Sequence, residues 1–107
     1  MNVLFVCSRN KWRSLTAETI YKNNPSHTVK SAGTSSVARI VVSEKLLKWA
    51  DIVFIKEKKH RLLLEQNFNE VTKAKEIITL EIEDNYKYMD SELIEVIKDS
   101  VDFYLKD

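Results

Sequence analysis

The chain has 107 residues, 44% of them hydrophobic and 31% charged, with a formal net charge of +1. This is the balance of one folded domain spanning 1–107 rather than of a disordered segment, and it lacks the basic excess with which a protein holds nucleic acid. Its opening apolar run is too short for a signal core or a membrane span, so a cytoplasmic protein with no membrane partner is expected.

In chain order, Val3-Leu4-Phe5-Val6 reads as a buried strand, followed by a polar loop that passes through Cys7 and Ser8 into a helical pattern. That helix is expected from about Ser14 to Asn23, with Ala17, Ile20 and Tyr21 on one face and Pro25 as its stop. A second strand is expected over His27 to Ser31, with Ala32-Gly33-Thr34-Ser35-Ser36 as the loop at its end. Ser43 is a cap for a helix through Leu46, Leu47 and Ala50, and Asp51 to Ile55 is a third buried strand. Lys58 to Gln66 reads as a helix, with His60 as a surface residue on it, and Glu76 to Ile82 as a fourth strand. The last helix is expected from Asp90 or Ser91 to about Leu105, with Leu93, Val96, Ile97, Val101, Tyr104 and Leu105 along one stripe. Strands alternating with helices imply an α/β fold, a parallel sheet covered on both faces, which binds ligands beyond the carboxyl ends of its strands.

Cys7 and the loop from Glu83 to Met89 both fall at such ends. The sequence has one cysteine, so no internal disulfide can form, and with His27 and His60 far apart there is no metal-ligand spacing. Its single glycine, Gly33, leaves neither a dinucleotide fingerprint nor a Walker loop, so no cofactor is expected. A loop folding back over the first turn of a helix gathers backbone N–H groups around one point, at the positive end of the helix dipole. Ser8, Arg9, Asn10, Lys11, Trp12 and Arg13 form that loop and are the expected anion-binding residues. A cysteine at its floor has its thiolate stabilised by the same donors, and Arg13 adds a planar fork for two oxygens.

Cys7-x5-Arg13-Ser14, with Asn10 inside the loop and Ala17-Glu18 in the helix, resembles the active-site signature of the low-molecular-weight protein tyrosine phosphatases. The likeness continues in Ser31-Ala32-Gly33-Thr34, Ala50-Asp51-Ile52-Val53-Phe54 and Asp84-Asn85-Tyr86. The resemblance implies a three-layer, flavodoxin-like fold with a four-stranded parallel sheet in the order 2-1-3-4. It implies a phosphomonoesterase, most specifically a protein tyrosine phosphatase, acting on a phosphorylated protein or a small phosphomonoester through a cysteinyl-phosphate. Cys7 would be the nucleophile and Arg13 the phosphate clamp, with Ser14, Asn10 and Ser31 in support. Asp84 would be the general acid, with Asp90 the rival, although Asp90 also suits the cap of the last helix. Trp12, Tyr86 and Tyr88 would wall an aromatic substrate pocket, and the protein would act as a monomer or weak dimer.

The chain departs from the family pattern in four places. The Asp-Pro of the family's acid is absent, Arg9 stands where glycine is common, Leu15 replaces a proline, and Trp12 replaces a second cysteine. Arg9 is therefore expected to carry a side chain at a tight bend. The segment after Gly33 is much shorter than usual, which implies a wider, shallower mouth. Two other readings remain open: a non-catalytic phosphate- or phosphotyrosine-binding module on the same scaffold, and an arsenate reductase dependent on an external thiol.

Overall fold

The structure, a computed structural model, describes residues 1–83 and 85–105; the expected acid Asp84 lies outside the described residues. Four strands, β1 (Asn2–Cys7), β2 (Thr28–Gly33), β3 (Ile52–Ile55) and β4 (Glu76–Thr79), form one parallel sheet in the order β2-β1-β3-β4. Between and after them run α1 (Arg13–Tyr21), α2 (Glu44–Trp49), α3 (Lys58–Asn67), α4 (Asn69–Lys73) and α5 (Ser91–Val101). This is the expected α/β architecture and strand order.

Because β1 and β3 are central and covered on both sides, they are buried and apolar from Val3 to Cys7 and from Ile52 to Ile55, and alternate residues feed two cores. Val3, Phe5, Ile52 and Phe54 face α1 and α5, where they pack with Ala17, Leu93, Ile97 and Val101. Leu4, Val6, Val53 and Ile55 face the other way, toward Leu47 of α2 and Leu64 of α3. The Phe5 and Phe54 rings stack at 5.3 Å between centroids, tying the central strands together on the α1/α5 face. No helix among the described residues is long and apolar enough to cross a membrane.

Several boundaries differ from the sequence reading, each for a local reason. β2 continues through Ala32 and Gly33 because these pair with Val6 and Cys7, so the loop begins later than expected. β4 stops at Thr79, and Glu81 takes a left-handed φ of 56°. The chain still follows β3, since the Leu80 and Ile82 amides donate to the Ile55 and Lys56 carbonyls. The short helix α4 was not expected; its pattern is too brief to stand out. Ser43 and Asp90 cap α2 and α5 as expected, accepting from the Leu46 and Glu92 amides at 3.2 and 2.9 Å.

Gly33 is where the sheet and the loop after β1 come closest. A Cβ there would sit 2.5 Å from the Ser8 carbonyl oxygen and 2.9 Å from the Asn10 nitrogen, both backbone atoms that cannot swing aside. The segment following Gly33 is also tied to that loop: the Thr34, Ser35 and Arg39 amides donate to the carbonyls of Cys7, Ser8 and Arg9 at 2.9, 2.9 and 3.0 Å. Gly33→Ala is expected to destabilise the protein by about 2 kcal/mol, as overpacking does. A chain of this size would then melt about 10 °C lower by circular dichroism, whereas exposed Val37→Ala should melt as the parent does.

Candidate functional site

Between the end of β1 and the start of α1, residues 8–12 turn over the helix N-terminus. The left-handed position in this turn is Asn10, with φ 57°, whereas Arg9 is not among the positive-φ residues. The strained position thus falls one residue later than expected, on asparagine, which tolerates left-handed geometry better than other non-glycine residues. Arg9 keeps ordinary backbone and projects an exposed side chain. No side chain caps α1, so the amides of its first turn and the positive end of its dipole are directed into the turn. There the chain encloses a cavity of about 230 Å³ lined by Cys7, Ser8, Arg9, Lys11, Trp12 and Arg13. Asn10 is fully buried and does not line the cavity.

Under the turn, a row of hydrogen bonds leads to the sulfur. Ser31 Oγ lies 2.9 Å from Glu18 Oε1, and Asn10 Nδ2 lies 2.8 Å from Ser31 Oγ and 2.9 Å from Ser14 Oγ. Ser14 Oγ in turn lies 2.8 Å from Cys7 Sγ. The direction of every proton follows from the Glu18 end. An ionised carboxylate only accepts, so Ser31 must donate to Glu18 and can only accept from Asn10. That fixes the Asn10 amide with its NH₂ group inward. Ser14 then receives an Asn10 proton, and its own hydroxyl hydrogen is directed to Cys7. A donor aimed at sulfur favours the thiolate.

A second set of contacts sets Arg13, which is buried along the cavity wall. Its Nη1 donates to Glu57 Oε1 and, at 2.9 Å, to the Ile82 carbonyl. Glu57 is also the N-cap of α3: its side chain accepts the His60 amide, while its own amide donates to His60 Nδ1 at 3.1 Å. With Nδ1 accepting, the neutral His60 ring carries its proton on Nε2, which faces Ser8 Oγ at 3.0 Å. His60 is therefore a buried prop of the loop, not the surface residue expected from its helical setting. Burial lowers its pKa from 6.5 to about 4, reinforced by the Arg13 charge and opposed by Glu57, with smaller lowering by Lys59 and Lys56. For Glu57, burial pushes the carboxyl up. The Arg13 hydrogen bond and charge, with smaller help from Lys59 and His60, outweigh it and leave the pKa below the usual value.

Solved structures share this arrangement of elements. The low-molecular-weight protein tyrosine phosphatase of T. tengcongensis matches with 25% identity and a TM-score of 0.74, over 98% of this chain and 99% of that one. The fold is that of the low-molecular-weight protein tyrosine phosphatases. The Streptococcus pyogenes enzyme of that name matches with 15% identity and a TM-score of 0.80, over 97% of this chain and 90% of that one. The YwlE arginine phosphatase of Geobacillus stearothermophilus matches with 21% identity and a TM-score of 0.74, over 98% and 92% of the two chains. No family model matches the sequence, and no curated protein does.

Within this low-molecular-weight phosphatase fold, the structure brings Cys7, Ser8, Arg9, Lys11, Trp12 and Arg13 around one cavity, with Asn10, Ser14 and Ser31 beneath it. Trp12 is 46% exposed at the rim. The two tyrosines expected beside it are not among the lining residues: Tyr86 packs against the α1/α5 core, and the Tyr88 hydroxyl lies 3.0 Å from Thr19 Oγ1 on α1. Asp90 is occupied as the α5 cap.

Three residues that hold the site, Glu18, Glu57 and His60, have no role there in the sequence reading. Glu18 appeared there only as part of the signature. Glu57 and His60 carry a usable signal, a carboxylate three residues before a side chain with an acceptor nitrogen at a helix start, which is a variant capping box. Lys56, which directly follows the apolar run of β3, is buried as well.

The His60 environment fixes the sign of a pH effect. Its folded pKa of about 4 lies below the ordinary 6.5, so the unfolded chain binds the extra proton first, and folding stability falls as the pH drops from about 6.5 to about 4. The loss attributable to this ring should reach about 3 kcal/mol. Urea unfolding at pH 7 and pH 4.5 should therefore show a smaller stability difference for His60→Gln than for the parent; an equal difference would remove His60 from the account.

Proposed function

We propose that the chain, as one domain over 1–107, is a phosphomonoesterase of the protein tyrosine phosphatase type that works through a cysteinyl-phosphate. The observation that carries this reading is the Ser14 hydroxyl directed at Cys7 Sγ from 2.8 Å, at the floor of a cavity walled by Arg13. The thiolate attacks phosphorus, the S–P bond forms, and the bond to the substrate's leaving oxygen breaks. Backbone N–H groups from Ser8 to Arg13 and the Arg13 guanidinium hold the three remaining oxygens as charge spreads over them. Water then attacks phosphorus from the vacated side. The S–P bond breaks, and Ser14 eases the departure of sulfur by donating to it.

Asp84 is the proposed general acid, protonating the leaving oxygen and then taking a proton from the attacking water. Two observations favour it over Asp90. Ile82, two residues before Asp84, contacts Arg13 through its carbonyl, and two residues span at most about 7 Å. The Asp90 carboxylate instead accepts from the Glu92 amide at the start of α5.

An aryl phosphate suits the cavity better than a phosphorylated guanidine. Among the described residues, the lining offers Trp12 for stacking on a ring and two exposed cations, Arg9 and Lys11, for the phosphate. An arsenate-reducing cycle would need an outside thiol to resolve the first adduct, since the sequence has one cysteine. The proposed cycle uses that one thiol alone.

Hydrolysis of p-nitrophenyl phosphate, assayed between about pH 5 and 7 where thiolate and carboxylic acid coexist, tests the reading. Cys7→Ser should lower turnover by about a thousandfold or more, and Asp84→Asn by about a hundredfold. Phosphotyrosine peptides should exceed phosphoarginine peptides in kcat/KM. A parent protein that binds phosphate without turnover would instead be a binding module.

A further inference from the structure

Lys56 is fully buried, and its amine has no hydrogen-bond partner among the described residues. A cation in that position is expensive unless a charge or a ring answers it. One answer is the face of Phe5, with Nζ 4.5 Å from the ring centroid. The other follows from the sheet. Val6 of β1 pairs with Ile55 of β3, and one further step of the same parallel register sets Lys56 abreast of Cys7. The stacked pair Phe5 and Phe54 point to the α1/α5 face, so by alternation Cys7 and Lys56, each two residues on, share that face. The buried amine and the thiol are thus neighbours under the turn.

We propose that Lys56 is a positioning residue for the nucleophile: its buried ammonium is the counter-charge that holds Cys7 as a thiolate, the pair sharing one proton that resides on the amine. The inference rests on Cys7 being the nucleophile but concerns its ionisation, which is measurable without turnover. No bond is made or broken beyond the transfer of the proton from sulfur to nitrogen.

The surrounding groups are consistent with this division of charge. Arg13 on α1 has its Nη1 engaged with Glu57, the N-cap of α3, and Glu57 is turned toward Arg13 and Lys59. His60 on α3 is neutral at pH 7. Tyr21 on α1 lies across the Phe5 ring with its hydroxyl donated to Asp102, and Tyr86 lies at the edge of the same core. α5 presents Leu93 and Ile97. Burial lowers the Lys56 pKa from 10.5 to about 7, the Cys7 charge pulls it up, and Arg13 pushes it down. The thiolate is thus the group that favours charge on this amine.

Because the sequence has one cysteine, iodoacetamide alkylation followed against pH reports Cys7 alone. In Lys56→Met, which replaces the amine by an apolar chain of similar length, the alkylation midpoint should move up by about one pH unit. At a pH below both midpoints the rate should drop about tenfold. Linkage requires the reciprocal effect: in Cys7→Ser, the Lys56 titration followed by NMR of its Cε and Nζ should move down by a similar amount. An unmoved thiol midpoint in a folded Lys56→Met protein overturns the proposal and leaves Lys56 as packing on Phe5. If that variant does not fold, the Cys7→Ser titration decides, and an unmoved lysine midpoint overturns it. Failure of the phosphatase reading looks different: both midpoints shift as expected while p-nitrophenyl phosphate is not hydrolysed.

Discussion

The structure depends on the line of hydrogen bonds that runs from Glu18 through Ser31, Asn10 and Ser14 to the Cys7 sulfur at the edge of a hydrophobic core. The direction of that line is set at its far end, where Glu18 accepts a hydrogen bond from the Ser31 hydroxyl. From that one acceptor, each group along the line has a single choice, and the last choice points a hydrogen at sulfur. The Asn10 carbonyl oxygen is buried without a partner among the described residues, so the orientation of this amide is held at a cost of about 1–3 kcal/mol. The same Asn10 takes the left-handed turn. Shape and polarity of the loop are therefore set by one residue.

Charge is handled in layers. At the rim, Arg9 and Lys11 are exposed and screened by solvent. At the wall, Arg13 is buried and fixed by Glu57 and the Ile82 carbonyl. Below lies Lys56 on the ring of Phe5. A near-neutral chain thus sets four of its 17 lysines and arginines around or beneath one cavity, and its net charge says nothing of this. The sheet makes the arrangement possible, since β1 and β3 end side by side and deliver Cys7 and the Lys56-Glu57 pair to the same edge.

Much of this was legible in the sequence. The apolar run of β1, the cysteine at its end and Arg13-Ser14 at the helix start fixed the position of the loop, and alternation of strands and helices fixed the layers. The resemblance supplied the strand order, which periodicity could not. The misses share a cause. His60 was read from its place on a helix, but its burial depends on where α3 lands on the sheet, a tertiary fact. A lysine after a strand normally marks the return to solvent, but Lys56 is buried where residues 80–82 run on beside it past the end of β4. Tyr86 and Tyr88 join the expected pocket only through the resemblance and their place in a loop, whereas Tyr86 packs on the core and Tyr88 reaches Thr19 of α1. Arg9 illustrates the limit of substituting by position, since the bend moved to its neighbour.

Glu57 and His60 do two things at once. Their reciprocal bonds begin α3, and the same two side chains reach Arg13 and Ser8. The helix they start is short and carries Leu62 and Leu63 exposed on its outer side, so its hold on the sheet rests largely on Leu64. Fraying at this end would take Glu57 from Arg13 and His60 from Ser8 while the central strands stayed paired. On warming, the support of Arg13 and Ser8 should therefore fade ahead of the cooperative loss of the sheet, which makes the first turn of α3 the thermal fuse of the molecule.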